Sequence, residues 1–190
     1  MSLFPLGLLS QGGGAGGAPA YELISTTTLG SDTANVTLSS IPSTYKHLKF
    51  VISGRSNTAS TGFSNVFAQI NGGTGSSYWF SYLEVSGGSY TNQRSATVQT
   101  SGKMGYTQNN SHTAGYFSGH DLEILDYTST NKYKTARFQS RTDSIDTATA
   151  YMSYGSFVFL GTAAVSSINF FLSSGSWLTG SRFSVYGITG

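Results

Sequence analysis

From residue 21 onward the chain is a succession of short segments that alternate apolar and polar residues, each closed by glycine, serine or asparagine. Leu48, Phe50 and Ile52 fall on one side of an extended chain while Lys49, Val51 and Ser53 fall on the other. Near the end, Phe183, Val185 and Gly187 oppose Ser184, Tyr186 and Ile188 in the same way. No window of about twelve residues carries the ~3.6-residue period of an amphipathic helix. Strands are therefore expected at 21–29, 34–40, 46–56, 63–70, 78–86, 96–101, 113–127, 132–143, 149–160, 165–173 and 180–188. The breaks between them hold Gly30-Ser31-Asp32, Asn71-Gly72-Gly73, Ser86-Gly87-Gly88 and Ser174-Gly175, which supply positive φ or local side-chain hydrogen bonds. Residues 127–131 read as the loop of a hairpin joining two long strands. Roughly eight to eleven short strands at this spacing predict an all-β antiparallel β-sandwich, jelly-roll-like.

Composition agrees with that class. The 190 residues are 38% hydrophobic and 14% aromatic, enough for one domain that buries roughly 70% of its unfolded surface. Charged residues make up only 9%, against ~25% in ordinary soluble domains. Gly, Ser and Thr stand in their place, which removes helix formers and leaves a weakly charged surface that favours association. The net charge of +2 gives no argument for nucleic acid. The densest basic group, Lys132, Tyr133, Lys134 and Arg137, reads as solvated strand positions. There is no cysteine, hence no disulfide or zinc–thiolate chemistry. No apolar run approaches the ~20 residues of a membrane span. The apolar start lacks a basic flank and is broken by Pro5, so it does not read as a signal peptide; synthesis in a cytoplasm is expected.

The first twenty residues differ from the rest. Leu3, Phe4, Leu6, Leu8 and Leu9 form an apolar tip, and Gln11 to Pro19 is a glycine-rich tether. Such a tip is either a disordered terminus or an anchoring arm that orders in a groove of a neighbouring subunit. The arm is preferred, because exposed leucines on a free tail are otherwise a poor choice. The expected organisation is thus an arm at 1–20 and a β-sandwich domain at 21–190.

Catalytic chemistry needs convergent titratable groups, and the chain has eight carboxylates and three histidines. The tightest cluster is His120-Asp121-Leu122-Glu123-Ile124-Leu125-Asp126. On a strand Asp121 and Glu123 share a face, about 6–7 Å apart, a spacing open to a glycosidase pair or calcium. The ordinary reading, a solvent face opposite Leu122 and Ile124, is preferred. His47 and His112 stand alone, and no nucleophile elbow or phosphate loop is present. No catalytic residue, cofactor or metal ligand is assigned. Among the aromatics, Tyr78, Phe80 and Tyr82 alternate with Trp79, and one face of that strand is expected in the core. Trp79, and Trp177 in its serine–glycine loop, are candidates for glycan stacking or for an interface, with Trp177 the more exposed of the two.

Four stretches are familiar. Tyr21-Glu22-Leu23-Ile24 with Thr26-Thr27-Thr28, the run from Ser39 to Leu48, the run from Ile124 to Thr135, and Phe183 to Ile188 together resemble a family of virion structural proteins of tailed bacteriophages, marine and cyanobacterial ones included. The resemblance implies a fibre-like or capsid-decorating jelly-roll protein on the exterior of the particle. The resemblance does not fix the location in the particle; taken with the apolar tip, the glycine tether and the low-charge body, it leads to the expectation of a non-enzymatic capsid decoration (cement) protein, a homotrimer as expected of that class, with the major capsid protein as partner. A tail or neck fibre module held by an adaptor, with glycan or receptor binding, is the alternative. Neither nucleic acid nor membrane is an expected partner.

Overall fold

The computed structural model describes residues 20–59, 62–142 and 150–189. Residues 1–19, and with them Leu3, Phe4, Leu6, Leu8 and Leu9 of the expected arm, lie outside the described residues.

Among the described residues there is no helix, and twelve strands follow one another: β1 (Tyr21–Thr28), β2 (Asn35–Leu38), β3 (His47–Gly54), β4 (Phe63–Ile70), β5 (Tyr78–Ser86), β6 (Ser89–Arg94), β7 (Gly102–Gln108), β8 (Ser118–Ile124), β9 (Lys134–Thr142), β10 (Tyr151–Phe159), β11 (Ile168–Leu172) and β12 (Arg182–Ile188). They form an eight-stranded sheet in the order β1-β12-β3-β8-β9-β10-β5-β6 and a four-stranded sheet in the order β2-β11-β4-β7. Every pair is antiparallel. The chain passes back and forth between the sheets, so most sequence neighbours are not ladder partners.

Alternation is the reason these segments are strands. In β9, Lys134, Ala136, Phe138, Ser140 and Thr142 are buried and the residues between them exposed. In β3, Leu48, Phe50 and Ile52 turn inward. A pleated chain places successive side chains on opposite faces, so one apolar row per strand covers one side of each sheet. The two covered sides meet. Phe50 on β3 lies edge-on to Phe170 on β11 at 5.7 Å, and Phe170 stacks on Phe183 of β12 at 6.0 Å. The Tyr78 hydroxyl on β5 accepts the Ile70 N–H of β4 at 2.8 Å, joining the sheets by a buried hydrogen bond. The result is a two-layer, sandwich-like body, in which full burial of one large apolar side chain contributes roughly 1.5–3 kcal/mol.

Two expected segments differ. The strand expected at 96–101 is a connection; the strands there are β6 and β7 on either side of it. The long strand expected at 113–127 is reduced to β8. Its first part is a loop folded around Arg55, whose buried guanidinium donates to the carbonyls of His112 (2.6 Å), Thr113 (2.8 Å) and Tyr116 (3.3 Å). Those carbonyls are thereby withdrawn from any ladder.

Candidate functional site

The four family-like stretches converge on one end of the body. Strand β1 pairs with β12, and the Tyr45 ring covers Gly187, where an added Cβ would strike it. The Tyr127 hydroxyl donates to the Pro42 carbonyl and accepts the Tyr45 N–H at 3.3 Å. His47 Nδ1 accepts the Asp126 N–H at 2.9 Å. That nitrogen therefore carries no proton, and the Asp126 carboxylate 3.8 Å away is not its ion-pair partner in this state. Lys132 pairs with Asp126 at 3.1 Å, and its hydrogen bond and charge lower the Asp126 pKa. These contacts tie the segment before β3 to the β8–β9 hairpin. They fix a corner of the fold, beside which an open cavity of ≈ 630 Å³ is bordered by Tyr45, Lys46, Asp126 and Lys132.

Lys134 completes that corner and corrects one expectation. Its side chain is fully buried, not solvated, and its ammonium donates to the carbonyls of Ser129, Lys132 (3.1 Å) and Thr162 (3.0 Å). Burial lowers its pKa. Lys134→Met would leave three carbonyl oxygens without their donor, at a cost of roughly 2–4 kcal/mol. A thermal melt should show a fall in Tm of about 5–15 °C for a domain of this size. A change within a degree or two would mean that the carbonyls find other partners.

The cluster around Asp121 and Glu123 lies where the alternation puts it, on the outer face of the eight-stranded sheet. Lys49 stands 3.4 Å from Asp121 and 3.9 Å from Glu123, and Arg137 binds Glu123 at 2.5 Å. Each carboxylate thus has a cationic neighbour. A cavity of ≈ 240 Å³ lies over these groups, bordered by Tyr154. Among the described residues no group of three His, Asp or Glu could hold a metal ion. His120 is buried in the core, edge-on to Trp177 at 6.4 Å, and neither ring nitrogen has a hydrogen-bond partner among the described residues. Burial lowers its pKa to about 4.

The two tryptophans part ways. Trp177, expected as the more exposed, is fully buried. Its indole N–H donates to the Phe170 carbonyl at 3.1 Å and its ring meets Phe183 edge-on at 5.0 Å. It is a core residue and offers no stacking surface. Trp79 does face outward, as its alternation with buried Tyr78 and Tyr82 requires. It borders a cavity of ≈ 250 Å³ together with Ser81, Arg94, Ser156 and Val158.

Sequence reading missed the surroundings of Trp79. Ladder register sets Val158 opposite Trp79, Tyr154 opposite Leu83 and Met152 opposite Val85, and Val85 in turn opposite Tyr90. All of these project from the outer face, and Tyr90, Tyr154, Leu83 and Met152 are exposed. The signal was present as apolar residues on both phases of β5 and β10, but only the pairing of those strands makes one patch of it. At the other end of the same face, Tyr21 and Leu23 of β1, Val51 of β3 and Tyr186 of β12 gather in a second apolar group. The charged residues around Lys49 and Glu123 separate the two. An outer sheet face of this kind is suited to protein contacts, since monomers rarely expose contiguous apolar patches beyond a few hundred Å². No family model, curated protein or solved structure matches the chain.

Proposed function

We propose that this chain is a non-enzymatic structural protein of a tailed-phage particle, a capsid decoration protein that cements the shell as a homotrimer. The observation that carries the reading is the two-sheet antiparallel body whose outer face is apolar at both ends and ion-paired between them. Strand order gives further support. Leaving aside β5–β6 and β9–β10, eight strands remain in the orders β1-β12-β3-β8 and β2-β11-β4-β7. Such an order is the one expected of the double Greek-key winding of a jelly roll, an architecture of capsid and lectin domains, and it supports that reading. The convergence of the four family-like stretches on one corner favours their reading as a fold signature. Residues 1–20 are the anchoring arm, with Leu3, Phe4, Leu6, Leu8 and Leu9 entering a groove of the major capsid protein on the particle exterior.

Cementing works by adding contacts across a junction, so that opening the shell must break them too. Particles lacking the protein should lose integrity on heating or in low salt, and the protein without residues 1–20 should fold yet fail to bind them. Particles that withstand both treatments without it would argue against cementing. The second reading is a tail or neck fibre module anchored by the same arm to an adaptor. The cavity beside Trp79 favours it, as a place for a glycan or receptor. Label on tails instead of shells would select it.

A further inference from the structure

We propose that a trough on the outer face of the eight-stranded sheet binds an acidic polysaccharide, laid across the strands from β6 to β3. The proposal deepens the second reading above and rests on its glycan site beside Trp79, but on neither location in the particle.

Ladder register builds the trough. Arg94 of β6 stands opposite Ser81 of β5, Ser81 opposite Ser156 of β10, and Ser156 opposite Arg137 of β9. Arg137 in turn faces Glu123 of β8, and Glu123 faces Lys49 of β3. Six strands at ~4.8 Å spacing make this polar row about 24 Å long. Two residues along β5 and β10 the same face changes character. Trp79 and Val158 stand on one side of the serines, Leu83 and Tyr154 on the other. At ~3.4 Å per residue these two walls rise from backbone about 13 Å apart, with only small hydroxyl side chains between them. Both cavities of this face open on the row. Arg94, Ser81 and Ser156 border the one of ≈ 250 Å³ beside Trp79, and Arg137, Glu123 and Lys49 the one of ≈ 240 Å³ beside Tyr154.

The chemistry of the row suits a saccharide. A sugar ring presents an apolar C–H face to an aromatic ring and a rim of hydroxyls that both donate and accept. Trp79 is 39% exposed and Tyr154 61%, so both rings are open to such a face. Ser81, Ser156 and Glu123 supply partners for the hydroxyls. The acidic character follows from charge. Arg137 and Lys49 already lie beside Glu123, whereas no carboxylate among the described residues forms an ion pair with Arg94. A ligand carboxylate would fill that place as a two-pronged guanidinium partner. A nucleic-acid strand fits less well, because its phosphates would run the length of the row and meet Asp121 and Glu123 at the β3 end.

The test is affinity electrophoresis of the full chain through gels holding a uronate polymer: polygalacturonate, alginate or hyaluronate. Dextran and poly(dT) serve as comparators. At least one uronate polymer should retard the wild-type protein, and added salt should weaken the retardation. Arg94→Gln and Trp79→Ala should each weaken binding about tenfold, as the loss of an anchoring contact does. Ser156→Tyr, which fills the floor, should abolish binding, and Asn169→Ser, on β11, should leave it unchanged. Circular dichroism with a wild-type melt establishes that each variant is folded. No retardation by any of the three uronate polymers, equal retardation by dextran, stronger retardation by poly(dT), or wild-type binding by Arg94→Gln would overturn the proposal. The isolated chain is measured without particles, so the result is read apart from where label falls. Label on tails with no binding would keep the fibre module and remove this ligand; binding with label on shells would place the trough on a cement protein.

Discussion

The wild-type protein should lose stability steadily as the pH falls from about 6.5 to about 4, and His120→Leu should be spared that part of the loss. The unfolded imidazole titrates near its ordinary value of 6.5, whereas burial lowers the folded one to about 4. Between these values the unfolded chain binds more protons than the folded one, so stability falls with pH. Above that window the contribution is complete, and below it the loss levels off. At ~1.4 kcal/mol per pH unit, the full effect is about 3 kcal/mol, or about 6–12 °C in Tm for a chain of this length. Carboxylates held below their ordinary pKa, such as Asp32 and Asp126, add their own acid loss, but they do so in both proteins. Urea unfolding at pH 7, 5.5 and 4 therefore isolates the imidazole as the difference between the two curves. Parallel curves would mean that protonated His120 finds a partner or an exit to water.

Trp177→Ala should be among the most damaging single substitutions in the chain. The indole is fully buried between Phe183 and His120, it closes a hydrogen bond to Phe170, and its backbone bridges Thr33 on one side and Ser56 on the other. Removing a buried tryptophan leaves a cavity and costs roughly 3–5 kcal/mol, a large share of the 5–15 kcal/mol that holds an ordinary domain together. Gly54 should be nearly as intolerant, because a Cβ there would enter the same ring. Trp177→Phe, which keeps a ring but loses the donor to Phe170, should cost less. Chemical denaturation followed by circular dichroism measures both. A loss below about 1 kcal/mol for Trp177→Ala would show that the surrounding residues collapse into the space.

Those two residues also show how far sequence reading reached. His120 shares its strand phase with Leu122 and Ile124, so its inward position was visible in the alternation. Trp177 was not, because Ser174-Gly175-Ser176 has the composition of a surface loop; what buries it is Gly54, more than a hundred residues away, where a missing side chain makes room. Lys134 was misread for the opposite reason. Its phase with Ala136 and Phe138 pointed inward, and its charge outweighed that signal until the three carbonyls around it were known. Strands β4 and β5 fall where alternation and glycine breaks set them. Strand β6, Ser89 to Arg94, has Tyr90 as its one large apolar side chain and so lacks the apolar row that marks a strand. Strand β7 contains Gly102 and Gly105, which admit Phe157 and Ser153 at close range and erase the pattern by which a strand is recognised. The two outer patches were illegible because each is assembled from strands far apart in the chain.

The pairing of β1 with β12, and of β2 with β11, carries a consequence for biogenesis. A ribosome delivers β1 and β2 more than a hundred residues before β11 and β12, so neither pair can form until those later strands have emerged. The outer apolar group of β1, β12 and β3 is likewise completed only when β12 arrives, and until then β1 and β3 have no strand between them to join.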